Sequence, residues 1–492
     1  MSSPRYPLLY QVNTRVWLAQ LSKQLGRPAT LDDIPNAELD SFAQAGFDWI
    51  WLLSVWQTGP QARDVSRAHP GWRREFEQTL PDLTEEDIPG SGFAITDYRV
   101  HKQLGGDASL ARLRKRLAQR GLKLMLDFVP NHMGLGHRWV DEHPEYFVAG
   151  TEADHARAPQ NYIRVASKKG KLLLAHGRDP YFDGWPDTLQ LNYAQPTTQA
   201  AMIGELQRIA GQCDGLRCDM AMLVLPEVFE RTWGAAAPLF WTGATEQVRK
   251  RHPGFTFMAE VYWDLEWTLQ QQGFDYAYDK RLYDRLRERH ARPVREHLYA
   301  GLDFQDKLAR FLENHDEPRA AATFPRDVHA AAAAITFLSP GLRFFHQGQF
   351  EGRKVRISPH LGRGPEEPLD GDLQAFYASL LAVLKNPAFR DGDWRLLPAD
   401  RAWEGNASHE DFVLFAWRGA DDARFVVAVN YASHPSQCRV RLPWSDLAGR
   451  SWRLADLLSR DVYDRPGDEL TEPGLYLDMR PWQAAVYEIA RP

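Results

Sequence analysis

The stretch GLRCDMAM, from Gly215 to Met222, has the apolar character of a buried strand but carries two opposite charges. It follows a polar, helix-like segment, as a strand of an alternating α/β fold does. Arg217 and Asp219 are two residues apart, so in a strand both side chains point to the same side. The pattern predicts a strand that delivers a cation and an anion together to one space.

Seven further β-rich runs share this character, and longer amphipathic runs separate most of them. Helical spacing is clearest at residues 107–121, which end at Gly121, and at residues 197–212, just before the quoted stretch. Eight strands that alternate with helices predict a closed parallel (β/α)8 barrel, the TIM-barrel fold. The predicted strands are residues 8–14, 47–55, 123–129, 215–221, 255–262, 274–279, 308–315 and 343–349.

Two segments do not follow this alternation. Residues 131–193, after the third strand, are too many for a simple crossover and are rich in Gly, Pro, His and aromatic residues. They predict a small inserted domain, the B domain, over one end of the barrel. From residue 394 to residue 492 the chain has short alternating strands with polar turns, which predict a C-terminal antiparallel β-sandwich. Residues 1–130 and 194–393 then form the catalytic barrel.

The composition is that of an ordinary globular protein and argues against several partners. Of 492 residues, 44% are hydrophobic and 25% are charged, and the formal net charge is −6 with both signs interspersed. We therefore expect no nucleic-acid partner and no membrane partner. The N-terminal residues lack a basic region followed by an apolar run, so we expect a cytoplasmic protein. Cys213, Cys218 and Cys438 are expected to be buried free thiols.

Polar residues end the third, fourth, fifth and seventh predicted strands, where an apolar core has no use for them. In a (β/α)8 barrel the carboxyl ends of the strands converge on one face, and active sites form there. Asp219, Glu260 and Asp316 are therefore expected to meet, with Arg217 in the same space. The other polar residues at these strand ends are Asp127, Asn131, His132, Asn314, His315 and Arg319.

Three clustered carboxyls suit a retaining glycosidase, which uses one carboxylate as the nucleophile and a second carboxyl as acid and then base. In such enzymes the two groups lie ~5–5.5 Å apart. Clustered acids raise one another's pKa values, which helps to keep one of them protonated at neutral pH. Arg217 would hold the Asp219 carboxylate ionised and oriented. Taken alone, this pair fits equally well as a structural buried ion pair.

Four segments, in this order and spacing, resemble the four signature regions of the α-amylase family, glycoside hydrolase family 13. The resemblance covers nearly the whole chain and implies an enzyme that acts on α-glucans or α-glucosides by a retaining mechanism. It implies that Asp219 is the nucleophile, Glu260 the general acid/base and Asp316 the stabiliser of the transition state. The four segments are DFVPNH (127–132), GLRCDMAM (215–222), FMAEVYW (257–263) and FLENHDEPR (311–319).

The resemblance also implies contacts to the sugar at the cleavage subsite, from His132, Arg217 and His315. Phe93, in SGFAITDYRV, lies near the position where the family often has a stacking tyrosine, and would stack on the sugar without a hydroxyl. The full set of predicted substrate-binding residues is His132, Arg217, His315, Phe93, Asp97, Tyr262, Trp263 and Arg319.

The sequence departs from the family on the leaving-group side of the site. Typical α-amylases have a Lys-His pair three and four residues after the nucleophile, where this chain has Met222 and Leu223. Tyr262 and Trp263 are expected to form an aromatic wall there instead. The segment NHMGLGHRWVDEHPEYF is more similar to the trehalose-synthase, oligosaccharide-acting and maltosyltransferase branches of the family than to secreted amylases.

Three interpretations of the function therefore stay open. The first is an enzyme that cleaves α-glucosidic bonds of oligosaccharides or α-glucans. The second is a transglycosidase or isomerase, similar to trehalose synthase or a maltosyltransferase. The third is an inactive sugar-binding homologue, which the presence of all three acids disfavours. The oligomeric state does not follow from the sequence.

No cofactor is expected to be required, but the resemblance allows a structural Ca²⁺ ion. Asn131 is the candidate ligand, in the manner of the family. Calcium prefers six to eight oxygen ligands, and the B-domain sequence does not supply a full set. A calcium site is therefore the weakest implication of the resemblance.

Overall fold

A closed barrel of eight parallel strands forms the centre of the computed structural model, which describes residues 4–492. The strands are β1 (Leu8–Asn13), β2 (Trp49–Leu53), β3 (Lys123–Phe128), β4 (Gly215–Cys218), β5 (Thr256–Ala259), β6 (Tyr276–Tyr278), β7 (Leu308–Arg310) and β8 (Leu342–His346). Each strand pairs with its sequence neighbours, and β1 pairs with β8 to close the ring. The predicted (β/α)8 barrel is confirmed.

Several strands end earlier than the sequence predicted, and the difference places the polar side chains. The fourth strand ends at Cys218 and the fifth at Ala259, so Asp219 and Glu260 are the first residues beyond their strands. Met220 then has a φ of 42°, in the left-handed region, which turns the chain out of the sheet. The two acids therefore stand at the carboxyl edge of the barrel.

Helices surround the barrel, and both helices that the spacing predicted are present, as Gly106–Ala118 and Pro196–Ala210. In the first, Leu110, Leu113 and Leu117 form the buried stripe. The remaining α-helices are Thr14–Leu25, Asn36–Ala45, Pro60–Ala68, Pro70–Thr79, Trp139–Glu142, Glu152–Arg157, Pro226–Trp233, Trp241–Arg251, Glu266–Gln271, Lys280–Glu288, Ala291–His297, Leu302–Gln305, Ala320–Thr323, Arg326–Leu338, Gly371–Leu384, Pro387–Asp391 and Gly467–Glu469.

The segment between β3 and β4 has its own small antiparallel sheets. His132–Gly134 pairs with Thr188–Gln190, which ties the two ends of the segment together. Tyr162–Ser167 and Gly170–Ala175 form a hairpin between them. A further short pair, Trp56–Thr58 with Ile95–Val100, lies before β3. The boundaries of the B domain at residues 131 and 193 remain a sequence-based prediction.

The C-terminal part is built from two antiparallel sheets. Their strands are Asp393–Leu397, Phe412–Arg418, Arg424–Asn430, Ser451–Asp456, Val462–Pro466 and Ala484–Ala490 in the larger sheet, and Ser436–Val440 and Leu475–Met479 in the smaller. Phe412 and Val426 of the larger sheet share one buried cluster with Val440 and Leu477 of the smaller. This shared core between the sheets agrees with the predicted β-sandwich.

Two smaller expectations concern cysteines and membranes. All three cysteines are buried and free, as predicted. Between residues 4 and 492, no helix is both long enough and apolar enough to cross a membrane.

Candidate active site

Arg217 occupies the centre of the carboxyl end of the barrel and is completely buried. Its Nη1 donates to Asp219 Oδ1 over 2.7 Å, and its Nη2 donates to Glu260 Oε2 over 2.7 Å. Its Nε donates to the hydroxyl of Tyr278 over 3.3 Å. One guanidinium thus holds two of the three predicted catalytic carboxyls, each on a separate nitrogen. Such forked, charge-assisted hydrogen bonds fix both position and orientation.

The third acid, Asp316, lies beside the same guanidinium. Its Oδ2 is 3.9 Å from Arg217 Nη2 and 3.0 Å from His315 Nε2. The turn that carries it is fixed by Asn314, whose Oδ1 accepts from the backbone N–H groups of Asp316 and Glu317 over 2.9 Å each. The structure therefore brings Asp219, Glu260 and Asp316 together around Arg217.

Aromatic rings enclose the guanidinium on several sides. Its central carbon is 5.4 Å from the ring of Trp51, 5.3 Å from that of Phe93 and 5.8 Å from that of Tyr278. Phe93 also stacks on His315, with ring centroids 5.4 Å apart. Rings around a cation are attracted to it and exclude water, so the ion pairs operate in a medium of low dielectric constant.

Asp127 supports this arrangement from β3. Its Oδ1 accepts from Trp51 Nε1 over 3.2 Å and is 3.8 Å from Arg217 Nη1. Its Oδ2 accepts from the backbone N–H of Ser54 over 3.2 Å. With both oxygens engaged by the scaffold, Asp127 positions Trp51 and Arg217.

The two oxygens of Glu260 have different surroundings. Oε2 accepts from Arg217 and from the backbone N–H of Met220, both over 2.7 Å. Among residues 4–492, Oε1 accepts only from the hydroxyl of Tyr262, over 2.8 Å. Neither N–H group at Oε2 can accept a proton, whereas a hydroxyl can reverse its hydrogen bond. A proton on Glu260 therefore resides on Oε1.

Burial and neighbouring charges separate the acids by pKa. Burial raises the pKa of Glu260 to about 7, with Asp219 and Asp316 adding to the rise and Arg217 opposing it. Burial also raises the pKa of Asp219 above its ordinary value, although Arg217 opposes the rise through its charge and a direct hydrogen bond. Confinement in the barrel mouth disfavours charge on Asp316 as well, but His315 and Arg217 lower its pKa to about 2. This divergence between Glu260 and Asp316 separates a proton donor from an ionised carboxylate.

A family model described as "Alpha amylase, catalytic domain" matches residues 36–366, about two thirds of the chain. The chain belongs to the α-amylase family. It is 24% identical over 368 residues to the α-amylase MalA of Haloarcula japonica, covering 73% of this chain and 50% of MalA. It is also 24% identical over 345 residues to the α-1,4-glucan:maltose-1-phosphate maltosyltransferase of Burkholderia pseudomallei, covering 66% of this chain and 26% of that relative.

The chain spans about half the length of the first curated relatives it matches. A crystal structure of the maltogenic α-amylase AmyB from Thermotoga neapolitana superposes with a TM-score of 0.69 at 16% identity, covering 99% of each chain. At this identity the likeness shows a shared fold. The family model thus gives the family of this chain, and the superposition gives its fold.

Some predicted site residues of this α-amylase-family chain lie apart from the carboxyls. Asp97 forms ion pairs with Arg99 and Arg208, each over 3.2 Å. Arg319 is buried, with its guanidinium 3.0 Å from Glu313 and donating to the carbonyl of Gln347 over 2.8 Å. The side chains of Asp97 and Arg319 are therefore both paired with other groups of the protein.

His132 is buried beside Trp185, with ring centroids 5.2 Å apart. Burial lowers the pKa of His132 to about 3, so its ring is neutral at physiological pH. Within residues 4–492 it forms no hydrogen bond or ion pair with the three acids. Its contact with a sugar therefore remains a prediction of the family resemblance.

The surroundings of Asn131 fit a calcium ion poorly. Gln190 Nε2 donates to the side-chain oxygen of Asn131 over 3.0 Å, to its carbonyl over 2.9 Å and to the carbonyl of Leu191 over 3.0 Å. Gln190 Oε1 faces the backbone N–H of Arg178 at 3.4 Å, which agrees with this amide orientation. An amide nitrogen with two hydrogens thus fills the space between three oxygens, where a cation would have to lie.

The residues that replace the family's Lys-His pair do not line the site. Met222 and Leu223 lie in a short 3₁₀ turn, Ala221–Val224, and both are buried in the main hydrophobic core. The site therefore lacks the ammonium and imidazole groups that the family's Lys-His pair would supply. The hydroxyl of Tyr262 donates to Glu260 Oε1, and the aromatic wall of Tyr262 and Trp263 on the leaving-group side stays a prediction.

Sequence reasoning missed several members of the site. Gln11 of β1 has its Nε2 2.8 Å from His315 Nδ1, which leaves Nε2 of that ring to face Asp316. Tyr278 at the end of β6 and Trp51 of β2 hold Arg217. The sequence signal was present for Gln11, since an amide inside the apolar run LLYQVNT has no partner within its own strand.

Proposed function

We propose that this chain is a retaining enzyme that cleaves α-glucosidic bonds of oligosaccharides or α-glucans. The observation that carries the proposal is that one guanidinium, Arg217, holds Asp219 and Glu260 at 2.7 Å each. Two carboxyls on one guanidinium are close together, as the separation of ~5–5.5 Å in retaining enzymes requires. Inverting enzymes need a wider gap for a water molecule.

In the first step, Asp219 Oδ2 forms a bond to the anomeric carbon while the bond from that carbon to the leaving oxygen breaks. Glu260 gives its proton from Oε1 to the leaving oxygen. Asp219 Oδ1 stays on Arg217, which keeps the carboxylate ionised before attack and orients its other oxygen. Asp316, with its lowered pKa, remains an anion beside the positive charge that develops on the sugar.

In the second step, Glu260 acts as a base through the same oxygen. A water molecule or a sugar hydroxyl loses its proton to Oε1 as its oxygen bonds to the anomeric carbon and the bond to Asp219 breaks. Two inversions give overall retention. The identity of the acceptor decides between hydrolysis and transfer.

The second candidate function is transglycosylation or isomerisation of an α-glucoside. It is supported by the replacement of the family's polar Lys-His pair with Met222 and Leu223, which are buried in the core, and by the apolar rings of Tyr262 and Trp263 after the acid, which disfavour water. The match to a maltosyltransferase points in the same direction. The inactive binding homologue is disfavoured because all three acids and their partner Arg217 are in place.

The deciding experiment traps the covalent intermediate. A 5-fluoro-α-glucosyl fluoride forms a slowly hydrolysed glycosyl-enzyme, and peptide mass spectrometry locates the label. We expect one label per chain, on Asp219. We also expect Asp219→Asn to lose roughly 10⁴-fold or more in kcat on maltooligosaccharides while its thermal unfolding is retained. A label elsewhere, or near-normal turnover by the variant, would overturn the mechanism.

A further inference from the structure

Arg15 stands just beyond the carboxyl end of β1 without a carboxylate partner. Its Nη1 donates to the carbonyl of Gly90 over 2.6 Å, and its Nη2 has only a long contact of 3.4 Å with Thr58 Oγ1. Burial lowers the pKa of Arg15 to about 10, and no acid among residues 4–492 opposes this shift. A guanidinium carries five N–H donors, so most donors of Arg15 are unused.

Other buried guanidiniums of the barrel mouth have carboxylate partners. Arg217 donates to Asp219 over 2.7 Å, and Arg319 lies 3.0 Å from Glu313. Taking a cation out of water without an anion beside it is unfavourable. The exception at Arg15 is explained if a ligand supplies its counter-ion.

The position of Arg15 in the ring of strands relates it to one part of the substrate. β1 is flanked by β2 and β8, and β5, which leads into Glu260, is the fourth strand away in either direction. Under the proposed mechanism the leaving group takes its proton from Glu260, on the β5 side. The β1 side of the mouth then faces the glycone, the part of the substrate that becomes attached to Asp219.

The loop that follows β8 brings a second guanidinium, that of Arg356, to the same side. This loop contacts the segment between β2 and β3, where the backbone N–H of Gly92 donates to the carbonyl of Pro359 over 3.3 Å. Arg356 pairs with Glu75 through Nη2, and in the described part of the chain its Nε and Nη1 have no partner. Its charge also helps to lower the pKa of Asp316, so Arg356 lies near the catalytic acids.

His360 lies near both guanidiniums and is neutral. Burial, with the charges of Arg15 and Arg356 adding to it, lowers the pKa of His360 to about 3. Its Nδ1 is 2.8 Å from Ser66 Oγ, whose own hydrogen is donated to the carbonyl of Ala62 over 3.0 Å. Ser66 therefore accepts from Nδ1–H, and His360 Nε2 keeps a lone pair that can accept from a sugar hydroxyl.

We propose that Arg15 and Arg356 bind a phosphate monoester carried by the glycone. This inference rests on the proposed function and names the substrate class, a phosphorylated α-glucoside or oligosaccharide. A phosphate monoester has three acceptor oxygens and can accept from two guanidiniums at once, whereas one guanidinium fork engages both oxygens of a carboxylate. A phosphate is therefore the better match for the pair.

The competing explanation is that Arg15 only joins the loops that carry Gly90 and Thr58. The two explanations differ in one quantity, the kcat/KM for a phosphorylated donor divided by that for the same donor without phosphate. Loss of folded enzyme cancels from this ratio, because both values come from one preparation. A role confined to the loops would leave the ratio unchanged.

The test measures nitrophenolate release from two pairs of donors. The pairs are 4-nitrophenyl α-glucoside with its 6-phosphate, and 4-nitrophenyl α-maltoside with the form phosphorylated at C6 of the outer glucose. We expect the wild type to prefer the phosphorylated donor of at least one pair by about tenfold or more. Arg15→Gln and Arg356→Gln should each lose most of this preference, and Arg15→Lys should keep part of it. Arg292→Gln, which removes an exposed arginine paired with Glu296, should match the wild type.

Two further measurements make the test specific. 4-Nitrophenyl α-glucuronide carries a carboxylate in place of the phosphate and should be a poorer donor than the preferred phosphorylated one. Calorimetry with Asp219→Asn measures binding of the same donors without turnover. We expect the preferred phosphorylated donor to bind about tenfold more tightly than its neutral partner, and the added Arg15→Gln change to remove the difference.

Four outcomes would count against the inference or its basis. A preference below about twofold in both pairs would overturn the inference and leave the proposed function intact. A preference that persists in Arg15→Gln would do the same. A better rate with the glucuronide than with either phosphate would overturn the assignment to phosphate. A wild type that releases nitrophenolate from none of the donors would overturn the proposed function, and the calorimetric comparison would then decide separately whether Arg15 binds the phosphate.

Discussion

The hydroxyl of Tyr262 donates to Glu260 Oε1 over 2.8 Å, whereas the N–H groups of Arg217 and Met220 donate to Oε2 of the same carboxyl. This hydrogen bond places a phenol against the oxygen from which we propose that the leaving group takes its proton. It stabilises the ionised form of Glu260 and also marks the oxygen from which a proton must leave. Tyr262 is thereby the closest neighbour of the proposed proton transfer.

Removing this hydroxyl should change the pH dependence of catalysis. Tyr262→Phe takes a donor away from the ionised carboxyl, so the pKa of Glu260 rises further. We expect the alkaline limb of kcat/KM on maltooligosaccharides to move up by roughly half to one pH unit. Tyr299→Phe is the matched control on the surface. An unshifted limb in the Tyr262 variant would show that the hydroxyl does not tune the acid.

The wild type should lose activity as the pH rises through about 7. The pKa of Glu260 is raised to about 7, and only its protonated form can protonate the leaving oxygen. Activity on maltooligosaccharides is therefore present below this value and declines above it. With α-glucosyl fluoride, whose leaving group needs little protonation, the decline in glycosyl-enzyme formation should be much weaker. Equal limbs for both donors would contradict the assignment of Glu260 as the acid.

Arg217→Lys should damage both activity and stability. A lysine ammonium lacks the planar fork that holds Asp219 and Glu260 on separate nitrogens. We expect kcat/KM to fall roughly 10²–10³-fold, and the free energy of unfolding by about 3–5 kcal/mol because buried carboxylates lose their partner. Denaturant titration and kinetics measure the two effects.

The control for this variant is Arg453→Lys, in an exposed ion pair with Asp464 of the C-terminal domain. Exposed pairs contribute about 0–1 kcal/mol, so its unfolding curve should stay close to the wild type. If the Arg217 variant unfolded like this control, the buried carboxyls would not depend on the guanidinium.

The thermal stability should not depend on calcium. Gln190 Nε2 fills the space between the oxygens of Asn131 and Leu191, so neither EDTA nor added Ca²⁺ should shift Tm by more than about 1 °C. Gln190→Glu replaces the donor with a carboxylate and should lower Tm in EDTA, with partial recovery in Ca²⁺. A wild-type Tm that falls in EDTA would show that a cation, rather than the amide, joins these oxygens.

The sequence by itself determined the barrel and the meeting of Asp219, Glu260 and Asp316. It could do so because eight strands that alternate with helices suit a closed parallel barrel, the four segments resemble those of a barrel family, and the strands of such a barrel have their carboxyl ends on a single face. Once the order of the strands was known, residues at their ends had to converge. The charged pair in GLRCDMAM identified that face before any contact was known.

Only the tertiary structure decided which atoms meet there. The hydrogen bond between Gln11 and His315 joins residues 304 positions apart, and the edge-to-face contact of Tyr181 with Trp263 joins a turn between β3 and β4 to the loop after β5. The tertiary structure also pairs Asp97 with Arg208 and Arg319 with Glu313. Such contacts depend on the exact packing of segments that are distant in the chain. A pattern of residue types along one strand carries no information about the partner it will find across the barrel.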